Sequence, residues 1–264
     1  MRLVDTHAHL NDEQFAENIE FVLERAQTAG VEAIVNVGTT RASSERCVAM
    51  VPAYSQLKAA VGIHPNYCHL AEHDDWQKIE ELAGNPVVAA IGETGLDRYW
   101  KDCPWDVQLD YFERHLALAR RTGLPVVIHS RECDAEMLTF LEEMIPRYQV
   151  QAVMHSFVSS WEVARQCLDL GLYLSFAGQL TYKKSTALRE TAAKVPENRL
   201  LVETDSPYLS PEPFRSARPN EPARVRCTLE VLAQTRLCNP EKMAEVTTTN
   251  SYQLFPRLGG GQKG

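Results

Sequence analysis

The chain has 264 residues and a formal net charge of −8. This length suits two small domains or one large α/β unit, because α/β barrels commonly reach roughly 250 residues as a single unit. The acidic charge argues against a protein that grips long nucleic acid along a broad basic surface. No uninterrupted apolar stretch approaches the ~18 residues that a membrane helix requires, so we predict neither membrane insertion nor secretion.

The seven cysteines are scattered along the chain and never form a Cys-x-x-Cys pair. An odd and dispersed set predicts neither a disulfide framework nor a zinc finger. We therefore expect a cytoplasmic protein with reduced thiols. We also expect it to be a monomer that makes no contact with membranes.

Eight short apolar runs with the character of buried β-strands recur along the chain. They cover residues 3–6, 33–37, 59–63, 87–92, 126–128, 152–154, 172–176 and 200–204. Segments with helical periodicity separate and follow them, at residues 15–29, 43–51, 76–82, 107–122, 135–147, 161–170, 187–195 and 221–236. Alternating strands and helices predict a parallel sheet, and eight strands predict a (β/α)8 TIM barrel, with a doubly wound open sheet as the alternative.

Two segments fall outside this repeat. A proline-rich stretch at residues 206–222 follows the last strand, and we expect it to form a wall of the active site, because barrels keep their active sites on that face. No linker divides the rest, so we assign residues 1–258 to one barrel domain. The glycine-rich tail at residues 259–264 has too little apolar content to order itself.

Six of the apolar runs lead to a residue that can bind a metal or move a proton. These residues are His7 with His9, His64, Glu93, His129, His155 and Asp205. In a parallel α/β protein, the C-terminal ends of the strands meet at the active site. The series therefore predicts an enzyme whose functional groups converge at the mouth of the barrel.

The histidines allow two interpretations. His7 and His9 are two residues apart, so in a strand both side chains point to the same face and can close on one ion, although a solvated pair is the alternative. His129 and His155 follow apolar runs, where a single buried histidine is usually a neutral group bonded to a backbone carbonyl. Two such residues at equivalent strand ends, beside a His-x-His pair, favour a metal site.

Glu93 and Asp205 add what histidines lack, namely anionic oxygens that can bridge two ions or accept a proton. Each follows an apolar run, where an unpaired carboxylate would be costly unless it met a cation. A salt bridge to an arginine from elsewhere in the chain is the alternative. We favour a metal as the partner, because neither strand contains a lysine or an arginine.

Four histidines and two carboxylates exceed what one catalytic ion needs and suit two ions about 3.5–4 Å apart. We expect His7, His9 and Asp205 to hold one ion, His129 and His155 the other, and Glu93 to lie between them. Histidine-rich ligation favours Zn or Mn over Mg, although metal availability can override this preference. We expect Glu93, Asp205, His129 and His155 also to act directly in catalysis.

Weaker candidates for contacts with the substrate lie nearby. His64 is either a donor to a substrate oxygen or a structural residue. Arg131 and Tyr99 lie on predicted loops at the mouth and are candidate contacts for phosphates or bases. Phe157, Tyr99 or Tyr208 would be able to stack on a terminal base.

Six motifs, found in this order, resemble the TatD family of metal-dependent deoxyribonucleases. They are Val-Asp-Thr-His-Ala-His-Leu at residues 4–10, Gly-Ile-His-Pro at 62–65, Ile-Gly-Glu-Thr-Gly-Leu-Asp at 91–97, Val-Ile-His-Ser-Arg at 127–131, Val-Met-His-Ser-Phe at 153–157 and Leu-Val-Glu-Thr-Asp-Ser-Pro-Tyr-Leu at 201–209. Asn-Glu-Pro at residues 220–222 also fits. The resemblance spans nearly the full chain.

The resemblance implies a TIM barrel of the metallo-dependent hydrolase superfamily that binds two or more divalent cations (Mg, Mn or Zn). Family members act on DNA as 3′–5′ exonucleases, and some act as endonucleases at abasic sites. The implied metal ligands are His7, His9, Glu93, His129, His155 and Asp205. Many relatives have cysteine where this chain has Ser156, a change that leaves ligation intact. Glu203 is implied to orient a ligand and is also a candidate substrate contact.

The leading hypothesis is hydrolysis of phosphodiester bonds at the 3′ ends of single-stranded DNA. A hydroxide on a bound metal would be the nucleophile, and a carboxylate would accept the proton. The alternative is hydrolysis of a carboxylic ester, lactone or amide by the same metal site. Many amidohydrolases bridge their metals with a carboxylated lysine, however, where this chain has Glu93. A third possibility is a scaffold without catalysis, against which the complete set of six ligands argues.

Overall fold

Eight parallel β-strands form a nearly closed barrel in the computed structural model of the protein, which describes residues 1–259. The strands are β1 (Leu3–Ala8), β2 (Val31–Val37), β3 (Leu57–Val61), β4 (Val88–Asp97), β5 (Val126–Arg131), β6 (Ala152–Met154), β7 (Tyr173–Phe176) and β8 (Leu200–Val202). Each strand pairs with the next one in the chain. The prediction of a (β/α)8 TIM barrel is confirmed.

Nine α-helices lie among residues 1–259 and pack around the strands. They are α1 (Ile19–Thr28), α2 (Arg41–Met50), α3 (Asp75–Ala83), α4 (Trp105–Thr122), α5 (Asp134–Tyr148), α6 (Trp161–Asp169), α7 (Thr186–Lys194), α8 (Val225–Thr235) and α9 (Pro240–Leu254). The first eight overlap the segments with predicted helical periodicity. In the part of the chain that the structure describes, no helix combines the length and the apolar character needed to cross a membrane.

The longest helix, α4, shows why these segments fold as they do. Its buried residues include Phe112, Leu116 and Ala119, which recur every three or four positions and form one stripe facing the barrel. The helix ends at Gly123, which has a φ of 68° and so adopts the left-handed conformation that a C-terminal glycine permits. The sequence then enters β5 directly.

Side-chain hydrogen bonds complete the contact between β8 and β1, where the barrel closes. The carboxylate of Asp5 accepts hydrogen bonds from the Thr204 backbone N–H at 2.9 Å and from its hydroxyl at 2.5 Å. Burial raises the pKa of Asp5 to about 8. Beyond this point the Asp205 N–H donates to the His7 carbonyl at 2.9 Å. The closure therefore sets a predicted carboxylate ligand beside a predicted histidine ligand.

The helix α9 was not predicted, because much of its buried face is polar. Asn250 on this face donates from Nδ2 to the carbonyls of Glu197 and Leu200, at 2.7 and 2.9 Å. After the helix, Phe255 and Leu258 are buried against the inward-facing residues of the strands. This segment closes the barrel at the N-terminal ends of the strands, opposite the predicted site. Of the predicted unstructured tail, residues 260–264 lie outside the described part of the chain.

His115 on α4 fixes the backbone at the C-terminal end of β3. Its Nε2 accepts a hydrogen bond from the Ile63 N–H at 3.0 Å, while its Nδ1 lies 2.6 Å from the Tyr111 carbonyl, to which it donates. Burial lowers the pKa of His115 to about 4. The neutral imidazole therefore belongs to the folded state, directly before His64.

This burial predicts an acid-sensitive fold. Because the unfolded chain binds the proton at the ordinary histidine pKa of 6.5, the free energy of unfolding should decrease as the pH falls from 6.5 to 4, by about 3 kcal/mol from His115 alone. His115→Gln should be less stable at pH 7 but should lose less stability on acidification. Urea unfolding at pH 6.5 and at pH 4 measures the free energy of unfolding of each protein. The exposed His73→Gln is the control, and equal pH slopes for wild type and His115→Gln would contradict the assignment.

Candidate metal centre

The six predicted ligands meet at the C-terminal mouth of the barrel. His7, Glu93 and His129 lie in β1, β4 and β5, and His9, His155 and Asp205 follow β1, β6 and β8. All six are buried or nearly so. A cavity of about 700 Å³ opens above them, and five of the six line it. The convergence predicted from the strand ends is thus present.

Glu93 lies between two groups of histidines. One carboxylate oxygen, Oε2, is 3.4 Å from Nε2 of His7 and 3.6 Å from Nε2 of His9. The other oxygen, Oε1, is 3.0 Å from Nδ1 of His129 and 2.8 Å from Nε2 of His155. Each oxygen therefore faces a different group of imidazoles, an arrangement that would allow the carboxylate to bridge two cations.

Asp205 completes the first of these groups. Its Oδ1 lies 3.7 Å from Nε2 of His7 and 3.4 Å from Nε2 of His9. The residue has a φ of 54°, in the left-handed region that non-glycine residues rarely adopt and that clusters at functional sites. These three side chains could hold one metal ion.

Glycines on both sides of Glu93 allow β4 to approach its neighbours. Gly92 and Gly95 have φ values of 137° and 141°. A Cβ atom on Gly95 would lie 2.0 Å from the carbonyl oxygen of His129, so any residue with a side chain would clash there. The close approach of β4 and β5 brings the imidazole of His129 onto the carboxylate of Glu93. It also extends the pairing of these strands as far as Asp97 with Arg131.

Asp97 was not singled out from the sequence, because the apolar run of its strand ends at Gly92. Its Oδ2 lies 2.9 Å from Nε2 of His129, and its Oδ1 accepts hydrogen bonds from the backbone N–H groups of Tyr99 and Trp100 at 2.8 and 3.0 Å. Burial would raise its pKa, but the bonds from His129 and Trp100 lower it to about 2. The available signal was spacing, since residues 93 and 97 point to the same face of a strand.

Hydrogen bonds on the outer nitrogens of two imidazoles fix their tautomers. Nδ1 of His9 lies 2.9 Å from the Val37 carbonyl oxygen, and Nε2 of His129 faces the Asp97 carboxylate. These oxygens can only accept, so the facing nitrogens bear the protons. In the neutral ring the opposite nitrogen then has a free lone pair directed at Glu93. This is the form in which histidine binds a metal.

The same logic applies to His155. Its Nδ1 lies 3.3 Å from Oε1 of Glu203, and the Ser156 N–H donates to the same oxygen at 2.7 Å. Glu203 is fully buried and does not line the cavity. The contact orients the ring of His155 with Nε2 toward Glu93, in the way that the sequence resemblance implies for Glu203.

His64 also approaches Glu93, with Nε2 3.4 Å from Oε1, but its tautomer is the reverse. Its Nδ1 accepts a hydrogen bond from the Asn66 backbone N–H at 3.1 Å. Burial and the charge of His129 lower the pKa of His64 to about 4, so the ring is neutral. The single proton is therefore on Nε2, and His64 offers the cavity a hydrogen-bond donor where the other rings offer lone pairs.

The centre has the charge and spacing that a divalent cation requires. Burial would raise the pKa of Glu93, but positive charge on His155 lowers it well below its ordinary value, and a cation bound between the rings would supply that charge instead. Within residues 1–259, no lysine or arginine nitrogen lies within 4.0 Å of the Glu93 or Asp205 carboxylates. The distances between ligand atoms are close to the ~3.4 Å expected for tetrahedral ligands ~2.1 Å from an ion. The donor set therefore fits such an ion.

The remaining candidates divide into two groups. Arg131 lines the cavity, and its guanidinium lies 3.7 Å above the ring of the half-exposed Tyr99. Tyr208, from the proline-rich loop, also lines the cavity. Phe157 is only 4% exposed and packs edge-on against Phe176, so the structure places it in the core and away from the cavity.

Comparisons with known proteins agree with this geometry. The family model described as TatD related DNase matches residues 4–256. The metal-dependent hydrolase YabD of Bacillus subtilis (strain 168), described as uncharacterized, is 41% identical over 253 residues, which are 96% of this chain and 98% of YabD. The 3′-5′ ssDNA/RNA exonuclease TatD of Edwardsiella piscicida is 32% identical over 258 residues, covering 96% of this chain and 99% of that protein.

The solved structures include a similar fold. The crystal structure of YjjV, a TatD homologue from Escherichia coli K12, superposes with a TM-score of 0.90 at 30% identity and covers 97% of this chain and 98% of YjjV. The family match spans nearly all of the barrel, including the strands that bring Glu93 and the histidines together. The chain therefore belongs to the TatD family of metal-dependent hydrolases.

Proposed function

We propose that this protein is a phosphodiesterase that uses two divalent cations to release nucleotides from the 3′ ends of DNA strands. The main support is Glu93, whose two oxygens face two separate groups of imidazoles. A pair of cations is a common arrangement for phosphodiester hydrolysis, because it stabilises both the attacking and the leaving oxygen. The name of the Edwardsiella relative, a 3′-5′ ssDNA/RNA exonuclease, supports the choice of nucleic acid and the 3′–5′ direction.

Six residues would hold the ions in two groups that share Glu93. The first group is His7, His9 and Asp205, and the second is His129 and His155. When bound, the ions supply positive charge to the phosphoryl oxygens and lower the pKa of water. Asp97, Glu203 and the Val37 carbonyl keep the rings of His129, His155 and His9 in the required tautomers.

Asp205 and His64 have the positions needed to move or share a proton. Burial would raise the pKa of Asp205, but its contacts with His9 and His7 lower it, so the carboxylate is ionised at neutral pH. Asp205 lines the cavity and is able to accept a proton there. His64 would donate from Nε2 to a phosphoryl oxygen. This role matches the sequence-based interpretation of His64 as a donor to the substrate.

The shape of the site favours a strand end as the substrate. The cavity volume of about 700 Å³ is in the range of sites that enclose a small molecule, and a nucleotide is such a molecule. Arg46 and Arg131 are the basic residues that line it. The net charge of −8 disfavours a broad electrostatic contact with duplex DNA. Local contacts with one terminal nucleotide are compatible with both features.

The test is a nuclease assay on protein stripped of metal and then supplied with Mg²⁺, Mn²⁺ or Zn²⁺. The substrates are single-stranded DNA labelled at the 5′ end, the same strand labelled at the 3′ end, a blunt duplex and RNA. We expect the 3′ label to be released as a mononucleotide and the 5′-labelled strand to shorten stepwise. Removal of the metal should abolish release, and its return should restore it.

A parallel panel of carboxylic esters, lactones and amides tests the alternative. Hydrolysis of these compounds at rates above those on DNA would contradict the proposal, as would nucleotide release that survives metal removal. An exposed variant, Glu142→Gln, is a control for handling of the protein. The same assay, with DNA and RNA strands at equal concentration, measures the preference of the enzyme between them.

A further inference from the structure

A second cavity adjoins the metal centre. Its volume is about 420 Å³, and it lies between the 3-10 helix Pro65–Leu70 after β3 and the loop after β4. Tyr67 and Trp100, together with Asn66, line both cavities and so form the wall between them. The residues that line only the second cavity have no part in the proposed chemistry. They are His69, Leu70, Asp102 and Cys103. The position of the second cavity beside the first makes it a continuation of the same binding surface.

The wall and rim present large apolar surfaces to solvent. Tyr67 is 42% exposed, Trp100 is 51% exposed and Leu70, at the rim, is 65% exposed. Exposed apolar patches rimmed by polar groups mark binding sites. Aromatic faces of this kind are the surfaces on which unpaired nucleobases stack, whatever their sequence. The wall shared with the proposed phosphodiester-cleaving centre favours a nucleic acid over a peptide as the ligand.

The backbone beneath these rings is tied to the metal centre. The Trp100 N–H donates to Asp97, whose other oxygen faces His129. Asn66 donates from Nδ2 to Asp97 at 3.3 Å, and it directly precedes Tyr67. The two aromatic residues are therefore positioned relative to the ligands by a single carboxylate. A base held on them would have a defined distance from the scissile bond.

The polar groups of the second cavity suit a base better than a phosphate. Asp102 and His69 line it, and the cavity-lining residues include no lysine or arginine among those that the structure describes. A carboxylate repels a phosphate but accepts hydrogen bonds from the amino groups of a base edge. Leu70 at the rim is exposed, so the cavity is open to solvent on that side and a strand held there could continue outward.

We propose that the second cavity binds the base of the nucleotide on the 5′, retained side of the scissile phosphate, stacked on Trp100 and Tyr67. This inference rests on the proposed function, because it assigns a subsite to that substrate. It implies that cleavage is faster when an unpaired base is present next to the cleaved nucleotide. A strand whose bases are paired to a complement would not fill the subsite until its end frays.

The test combines a residue change with a base deletion. The substrates are single strands with all bases present and single strands that have an abasic tetrahydrofuran unit at the second nucleotide from the 3′ end. For wild type we expect kcat/KM for release of the first nucleotide to fall about tenfold on the abasic strand, the scale of one lost stacking contact. For Trp100→Ala the difference between the two strands should become much smaller, because Tyr67 is then the only stacking partner left.

Two further variants make the comparison specific. Trp100→Phe keeps an aromatic face and should retain most of the tenfold difference between the strands. Phe21→Ala removes an aromatic side chain of comparable exposure on α1, away from both cavities, and should behave as wild type. Circular dichroism of each variant verifies folding before the rates are compared.

The outcomes separate this inference from the proposed function. If wild type releases no nucleotide from the intact strand, the proposed function fails. If wild type cleaves both strands equally, or if Trp100→Ala keeps the full tenfold difference, the nuclease stands and the subsite is overturned. A third strand has the abasic unit at the terminal nucleotide. A tenfold effect on this strand, with none from the second base, would also overturn the assignment, because the cavity would then hold the departing nucleotide.

Discussion

Replacement of Glu93 by glutamine is expected to lower kcat/KM by about 1000-fold, because metal-derived charge stabilisation in the transition state is worth several kcal/mol and each 1.4 kcal/mol is a factor of ten. Glutamine preserves the size of the side chain but removes its charge and one of its carboxylate oxygens. The two imidazole groups would then lose the anion that faces both of them. Nucleotide release from a 3′-labelled single strand, at saturating metal, measures the effect.

The metal content of this variant distinguishes the explanation from a folding defect. Glu93→Gln should bind both ions more weakly, because each carboxylate oxygen faces one group. Glu142→Gln, an exposed change of the same kind, should keep the wild-type metal content and rate. A Glu93→Gln protein with wild-type activity would show that the bridging role is not needed. Loss of activity with the full complement of ions would show that Glu93 acts in some other way.

Removal of His129 is expected to cost one of two bound ions, whereas removal of His64 is expected to cost none. Both rings face Oε1 of Glu93, at 3.0 and 3.4 Å. They differ in tautomer, because the outer N–H of His129 donates to Asp97, whereas the outer nitrogen of His64 accepts a hydrogen bond from the Asn66 backbone N–H. Isothermal titration calorimetry with Mn²⁺ should therefore give two sites for His64→Ala and one for His129→Ala.

Activity adds a second readout to the same pair. His64→Ala should reduce kcat by about 100-fold, the scale of a lost hydrogen-bond donor to a developing charge, with metal affinity retained. His129→Ala should lose activity together with its ion, and excess metal should restore part of it. A His64→Ala protein that binds a single ion would overturn the tautomer assignment and would place His64 among the ligands.

The fold was predictable because each strand is buried on both faces. Such strands form continuous apolar runs, and their regular alternation with amphipathic helices leaves few arrangements besides a barrel. The helix α9 escaped prediction for the opposite reason. Its buried asparagine, serine and threonine side chains satisfy backbone carbonyls, so their burial has no apolar signature. Periodicity of apolar residues cannot detect a face that is buried through hydrogen bonds.

The candidate site was partly predictable. The strand ends indicated which residues would converge, since the C-terminal ends of parallel strands meet at one face. Asp97 was missed because strand β4 continues beyond its apolar run. Glycines in this extension allow it to pack closely against β5, and that contact cannot be recognised from the apolar pattern of one strand. The tautomers could not be predicted from the sequence either, because the hydrogen-bond partners of His64 and His129 are set by backbone geometry. Phe157 follows His155 by two residues, yet it turns into the core.

The most direct test is anomalous diffraction from crystals soaked in Mn²⁺ with a short single-stranded oligonucleotide that resists cleavage. We predict two anomalous peaks about 3.5–4 Å apart, one on each side of the Glu93 carboxylate, with the 3′-terminal phosphodiester in contact with both. The first peak should be bound by His7, His9 and Asp205, and the second by His129 and His155. A single peak, or two peaks that do not share Glu93, would contradict the two-cation centre.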